Sequence, residues 1–275
     1  MANHPAMAPG NVAVITGGAD GIGLAAARYY QSLGMRVCIA DIDTAKLQAA
    51  ESELGQVLAV ATDVSSLSDL EALREQVYGS WGQVNILMNN AGIGGQCGSW
   101  KGYDTWMRIL NVNLWGVVNG VHAFAPAIIE QGTPDLIINT GSKQGITTPP
   151  GNPAYNASKS AVKSITEALE HDLRNTEGCQ VTAHLLIPGF TYTGLVREFL
   201  PEKPASAWVP DQVVAFMVES LARGDFYILC PDNDVTREMD NKRIAWAMSD
   251  LIENRPALSR WHPDYLAAFE AFMKS

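Results

Sequence analysis

The sequence predicts an α/β protein: one doubly wound parallel sheet with helices on both faces, followed by a C-terminal helical extension. Two observations carry this. Seven short apolar segments rich in Val and Ile recur along the chain, each separated from the next by a stretch of helical length. The segments are nearly continuous in their apolar character, as strands of a parallel sheet must be when both faces are covered. Alternation of strand and helix on this scale builds βαβ units.

Residues 1–10, with Pro5 and Pro9, read as a loose, flexible lead-in. Strands are expected at 12–16, 36–41, 57–62, 84–89, 136–140, 181–187 and 226–230. Helices are expected at 21–33, 45–54, 67–81, 105–131, 153–175 and 211–222. The fifth of these starts where Asn152 can cap and Pro153 suits the first turn. Residues 189–208, with Pro201 and Pro204, form a connection long enough to act as a lid. Beyond Cys230 two further helices are expected, with a break at Arg255-Pro256. Trp261, Tyr265, Phe269 and Phe272 would share one helical face there, as core or as a subunit interface. Residues 11–231 thus form the main domain and 232–275 an extension of it.

The chain has 275 residues, 47% of them hydrophobic, enough for a sizeable core. A net charge of −10 opposes nucleic-acid binding, which needs clustered Lys and Arg. No uninterrupted apolar run is long enough for a bilayer, and no secretory signal is visible at the start, so a cytoplasmic protein with reduced thiols is expected. The four cysteines are scattered, and the five histidines lack metal-binding spacing, so no metal is expected. Residues 232–236 begin like a calcium loop, but Arg237 stands where the turn needs Gly.

Three patterns carry chemistry. Tyr155 and Lys159 are four apart on a predicted helix and share a face. A cation beside a phenol lowers its pKa, which makes the phenol a general base for an alcohol or a general acid for a carbonyl. Thr16-Gly17-Gly18-Ala19-Asp20-Gly21-Ile22-Gly23 joins the first strand to the first helix, where glycines and a helix N-terminus can cradle a pyrophosphate. Asp41 ends the second strand; a carboxylate there accepts from both adenosine ribose hydroxyls and repels a 2′-phosphate. Asp20 adds negative charge, and Ile42 stands where a 2′-phosphate reader would carry Arg.

From about Asn11 to Cys230 the chain resembles the short-chain dehydrogenase/reductase family, with a Rossmann-type fold. The resemblance rests on T-G-x-x-x-G-x-G at 16–23, Asn89-Asn90-Ala91-Gly92 after the fourth strand, and Asp63-Val64 where the adenine would lie. It rests further on Asn113, on Ser142 thirteen residues before Tyr155, on Lys159, on Pro188-Gly189, and on Thr193 beside the nicotinamide carboxamide. Gly141 before Ser142, and Lys143-Gln144 after it where small residues are usual, depart from the family pattern, and the segment beyond 231 exceeds the family core.

The resemblance implies an NAD-dependent oxidoreductase interconverting a secondary alcohol and its ketone. Ser142 would hold the substrate oxygen and Tyr155 would exchange its proton. Lys159 would lower the Tyr155 pKa and bind the nicotinamide ribose, and Asn113 would hold a water on a proton path. The implied cofactor residues are Gly17, Asp20, Gly21, Ile22, Gly23, Asp41, Ile42, Asp63, Val64, Asn90, Ala91, Gly92, Tyr155, Lys159, Pro188, Gly189, Thr191 and Thr193. Three walls are expected around a bulky hydrophobic or aromatic substrate: Ile93, Gln96 and Cys97; Gln144 and Ile146; and, on the lid, Phe190, Tyr192, Leu195 and Phe199. A sugar, steroid or acyl substrate, or a non-catalytic dinucleotide-binding regulator, are the alternatives. A homodimer or homotetramer is implied through the 153–175 helix and the long helix before it.

Overall fold

The computed structural model describes residues 4–275. Seven parallel strands form one sheet in the order β3-β2-β1-β4-β5-β6-β7. They are β1 (Val12–Thr16), β2 (Arg36–Asp41), β3 (Leu58–Ala61), β4 (Ile86–Asn89), β5 (Leu136–Thr140), β6 (Thr182–Ile187) and β7 (Tyr227–Leu229). The chain winds outward from β1 to β3, crosses back, and continues from β4 to β7. The strand order therefore reverses between β1 and β4, which opens a crevice at their carboxyl ends.

β1, at the centre, is buried throughout and pairs on both sides, Val14 lying against Cys38 and Leu87. β4 starts two residues later than its apolar pattern suggests, because Asn85 turns its side chain to other work. Its Oδ1 accepts from the Val12 N–H at 3.0 Å and its Nδ2 donates to Asp135 at 2.9 Å. β3 is shorter than expected and has a neighbour on one side only.

The helices are α1 (Gly21–Ser32), α2 (Thr44–Leu54), α3 (Leu67–Trp81), α4 (Tyr103–Leu110), α5 (Gly116–Glu130), α6 (Gln144–Thr147), α7 (Pro153–Arg174), α8 (Gly194–Arg197), α9 (Pro210–Ala222), α10 (Arg237–Ile252) and α11 (Leu266–Lys274). One face of the sheet is covered by α1 and α9, whose Ala26, Tyr30, Val213 and Met217 pack with Ile15 and Ile39. The other is covered by α3 and α5, whose Leu70, Leu73, Phe124 and Ile128 pack with Val14, Leu87 and Ile137. Each Val, Leu, Ile, Met or Phe side chain among these contributes roughly 1.5–3 kcal/mol on burial. The stretch from Tyr103 to Glu130 is long and apolar enough to cross a bilayer by length and composition, though Arg108, Asn113, Asn119 and His122 interrupt it; half of its most apolar window is buried within the fold.

The expected helix at 105–131 is divided. A π turn at Asn111–Trp115 joins α4 to α5, a local irregularity of the kind that collects at functional sites. The lead-in is packed rather than loose from His4 on: Pro5–Met7 form a 3₁₀ turn and Ala6 and Met7 enter the core. Its residues 1–3 lie outside the described ones. The expected aromatic face of the extension is also broken up. Trp261 and Tyr265 sit in two separate 3₁₀ turns, and Phe269 and Phe272 of α11 pack on the buried Trp246 of α10 at 5.3 and 5.4 Å between ring centres. The Arg255 guanidinium stacks on the same indole at 4.1 Å.

Candidate active site

The glycine turn occupies the crevice between β1 and β4. Gly17 has φ +62°, a conformation that favours glycine. A Cβ at Gly23 would overlap the Gly17 carbonyl, so the turn can close only with a bare backbone there. Asn90 braces it from β4, its Nδ2 donating to the Thr16 and Gly17 carbonyls at 3.2 Å each, while the Asn90 and Ala91 N–H groups donate to the Thr16 hydroxyl. Asp20 caps α1 through the Gly21 N–H at 2.6 Å.

Asp41 accepts from the Ala19 N–H at 3.3 Å and the Asp43 N–H at 3.1 Å, which fixes its carboxylate beside the turn. Ile42, next to it, is 68% exposed. Asp63 accepts from both the N–H and the hydroxyl of Ser65. Val64 is buried, and its carbonyl takes the Asn119 amide at 3.0 Å. Pro188 is buried at the end of β6, and Thr191 donates to the Gly189 carbonyl. Thr193 faces Gly21: a Cβ on that glycine would come within 3.1 Å of the threonine side chain. The lid root thus sits directly over the glycine turn.

The four catalytic candidates come from three elements. Ser142 follows β5 and accepts from the Gln144 N–H at 3.2 Å. Tyr155 and Lys159 lie one turn apart on α7, with the Lys159 Nζ 5.9 Å from the phenol ring centre. The Lys159 ammonium is buried and donates to the Thr140 carbonyl at 2.8 Å; burial lowers its pKa to about 8. Burial also holds the Tyr155 phenol above its ordinary value, against a hydrogen bond from Ser142 that pulls it down. The expected lowering of the Tyr155 pKa is therefore not a property of the protein groups alone, since desolvation outweighs them.

Asn113, in the π turn, is fully buried. Its Oδ1 accepts from the Ile93 N–H at 2.8 Å, and its Nδ2 donates to the Ile93 carbonyl at 3.0 Å and the Ser158 hydroxyl at 3.3 Å. Both amide hydrogens are engaged, and through them the asparagine ties the loop after β4 to α7. Gly92 sits at this junction: a Cβ there would lie 3.5 Å from the Asn113 Oδ1 and 3.6 Å from the Lys159 Nζ.

The substrate walls are partly assembled. Leu195 of the lid reaches the β4 loop, within 3.0 Å of where a Cβ on Gly94 would stand, so the first and third walls meet. Ile93 and Cys97 are half-buried, and Gln96 and Gln144 are exposed. Phe190 and Phe199 are exposed on the lid. The Tyr192 hydroxyl donates to the Pro201 carbonyl, which folds the ring back along the lid. Ile146 does not serve the wall expected of it. It packs with Leu229 and Ile244 against the third part of the core, because α6 turns that face toward the extension. Sequence reasoning missed Arg197, which meets Asp20, and gave no role to Lys143, whose departure from small residues was the one visible sign of it.

A model of the family described as short chain dehydrogenase matches residues 11–204. A 1-deoxy-11-beta-hydroxypentalenate dehydrogenase of Streptomyces exfoliatus is 30% identical over 90% of this chain and 93% of its own. A 3beta-hydroxysteroid dehydrogenase 2 of Eggerthella lenta is 32% identical over 70% of this chain and 76% of its own. The crystal structure of a short chain dehydrogenase/reductase from Burkholderia phymatum in complex with NAD superposes with a TM-score of 0.82 at 33% identity, covering 93% of this chain and 97% of that one.

Proposed function

The chain belongs to the short chain dehydrogenase family and is an oxidoreductase acting on CH–OH groups; from that premise we propose that it moves hydride between NAD and a bulky hydrophobic or aromatic secondary alcohol, interconverting alcohol and ketone. The observation that carries this reading is the convergence of Ser142, Tyr155 and Lys159 beside Gly92, at the crevice that also holds the glycine turn.

The crevice fits a dinucleotide. A bare backbone at Gly17 and Gly23 admits a pyrophosphate, the α1 N-terminus faces it, and Asp41 is held where it can accept from ribose hydroxyls. Bound NAD would supply the hydride acceptor and a positive charge near the phenol. Ser142 orients the substrate oxygen. Tyr155 takes the alcohol proton at its phenol oxygen, or returns it to the ketone. Lys159 holds the ribose and keeps a cation near the phenol. Asn113 acts by fixing Ile93 and α7 together, which keeps the β4 loop at a set distance from Lys159.

The apolar lid residues Phe190, Leu195 and Phe199 support a hydrophobic substrate, as does the relative named for a 3beta-hydroxysteroid. Residues 11–231 would be the catalytic unit and 232–275 its extension, in a homo-oligomer. The four cysteines are free thiols, in keeping with a cytoplasmic setting. The test follows NADH formation with 2-propanol, a sugar alcohol, 1-phenylethanol and a 3β-hydroxysteroid. The last two are expected to give the higher kcat/KM, by about a hundredfold over 2-propanol if burial of the extra apolar surface is worth roughly 2–3 kcal/mol. A win for the sugar alcohol would overturn the substrate class. Tyr155→Phe is expected to lose on the order of 10²–10⁴ in kcat with NADH binding kept within a few-fold; retention of a tenth of the wild-type rate or more would remove Tyr155 from the mechanism.

A further inference from the structure

We infer that Lys143 is a positioning residue for the active site: its ammonium gathers Asp232 and Asp240, and so makes the C-terminal extension hold both the Ser142 turn and the root of the lid. Lys143 directly follows Ser142 and leads into α6. Its Nζ lies 2.6 Å from Asp240 Oδ2 on α10 and 3.4 Å from Asp232 Oδ2 after β7. The two carboxylate side chains are 6% and 5% exposed, so this is an interior cluster and not a surface pair.

Asp232 and Lys143 reach different parts of the site, and Asp240 anchors them to α10. Asp232 Oδ2 also accepts from the Phe190 N–H at 3.2 Å, at the start of the lid, while its Oδ1 accepts from the Asp234 and Val235 N–H groups. The Lys143 carbonyl accepts from Ile146 and Thr147, which fixes α6. α6 in turn presses Gly145 onto the Lys159 backbone so closely that a Cβ there would have no room. Ser142 Oγ is held by the Gln144 N–H within the same turn. Displacing Lys143 therefore moves the serine, the backbone beneath the catalytic lysine and the lid root together.

Electrostatics makes the cluster a unit. Two buried carboxylates share one ammonium, with Arg243 and Arg260 lining the small adjoining cavity. Removing the ammonium would leave like charges facing each other in a desolvated place. A displacement of about 1 Å at a reacting group can cost on the order of 10²-fold in rate, so a tether on the residue next to Ser142 has leverage on chemistry. This rests on the reading of Ser142 and Tyr155 as catalytic groups.

The test compares Lys143→Arg, Asp240→Asn and the triple variant Lys143→Met, Asp232→Asn, Asp240→Asn, using the alcohol with the highest kcat/KM in the panel above. The triple variant removes the ammonium and both carboxylates together, so that no carboxylate is left facing another in the interior. The expected result is a kcat lowered about 10- to 100-fold in the triple variant, with NADH affinity by fluorescence titration within twofold of wild type, and recovery of most of kcat in Lys143→Arg. Asp240→Asn should fall between. A wild-type kcat in a folded triple variant, or a loss explained wholly by weaker NADH binding, would overturn the inference. Wild-type turnover by Tyr155→Phe would instead overturn the catalytic reading beneath it.

Discussion

Arg197 of the lid sets its Nη2 2.6 Å from the Asp20 Oδ1 in the glycine turn, closing a span of 177 residues. The Lys46 ammonium approaches the other oxygen at 3.4 Å. Though burial opposes it, the hydrogen bonds from Arg197 and Gly21 and the nearby cations hold the Asp20 carboxyl below its ordinary value. Asp20 is thus a lid contact as well as a helix cap. The bridge is half in solvent, its arginine 48% exposed, which limits it to at most about 1 kcal/mol. Arg197→Ala is therefore expected to speed NADH release by about fivefold or less. Stopped-flow displacement measures this; an unchanged rate would show that the bridge does not restrain the lid.

Asp41 should set a preference for NAD over NADP. A 2′-phosphate near that carboxylate meets a repulsion of a few kcal/mol at partly desolvated range. Because both Asp41 oxygens accept backbone N–H groups, deleting the side chain would confuse charge with turn geometry. Asp41→Asn keeps one acceptor and removes the charge. It should narrow the ratio of kcat/KM for the two cofactors by about tenfold or more. A wild-type enzyme with equal values for both cofactors would refute the assignment outright.

Lys159 should leave a mark on stability. Its pKa is about 8 in the fold, below the ordinary 10.5 of a lysine side chain, because burial penalises the charged form. The unfolded chain then binds more protons between those values, so stability rises with pH across that window, and the burial cost is fully present below about pH 8. Burial holds Tyr155 above its ordinary value, so its own linkage has the opposite sign and acts only at the alkaline end of the window. Without cofactor, the melting temperature is expected to climb from pH 8 toward 10, and Lys159→Met should remove that climb while raising stability at pH 7 and abolishing turnover. A slope unchanged by Lys159→Met would place the ammonium in a more hydrated setting.

Oligomer formation is expected through α4, α5 and α7. Tyr103 and Trp115, which flank the α4 turn, are 74% and 53% exposed, and α7 presents small residues such as Ala157 and Ser164 to solvent. Light scattering should give a dimer or tetramer at micromolar concentration. A particle of 29.7 kDa would contradict it.

Much of the fold was legible because its signals are local. Strand boundaries at 12–16, 36–41 and 136–140 follow from apolar runs alone. The cap at Asn152 was equally local, its side chain accepting the Tyr155 N–H three residues on. The boundaries that moved were those where a side chain had a distant partner. Asn85 left its strand for Val12 and Asp135, and Asn113 left a regular helix for Ile93 and Ser158.

The sequence by itself determined the strand–helix alternation, the glycine turn and the spacing of Tyr155 and Lys159, because each depends on residues a few positions apart along one element. Only the tertiary structure decided that Ile146 belongs to the core, that Arg197 meets Asp20, that Lys143 binds the extension to the Ser142 turn, and that burial pushes the Tyr155 and Lys159 pKa values in opposite directions. Those outcomes depend on which faces the crossovers bring together and how much water they exclude, and neither is fixed by spacing along the chain.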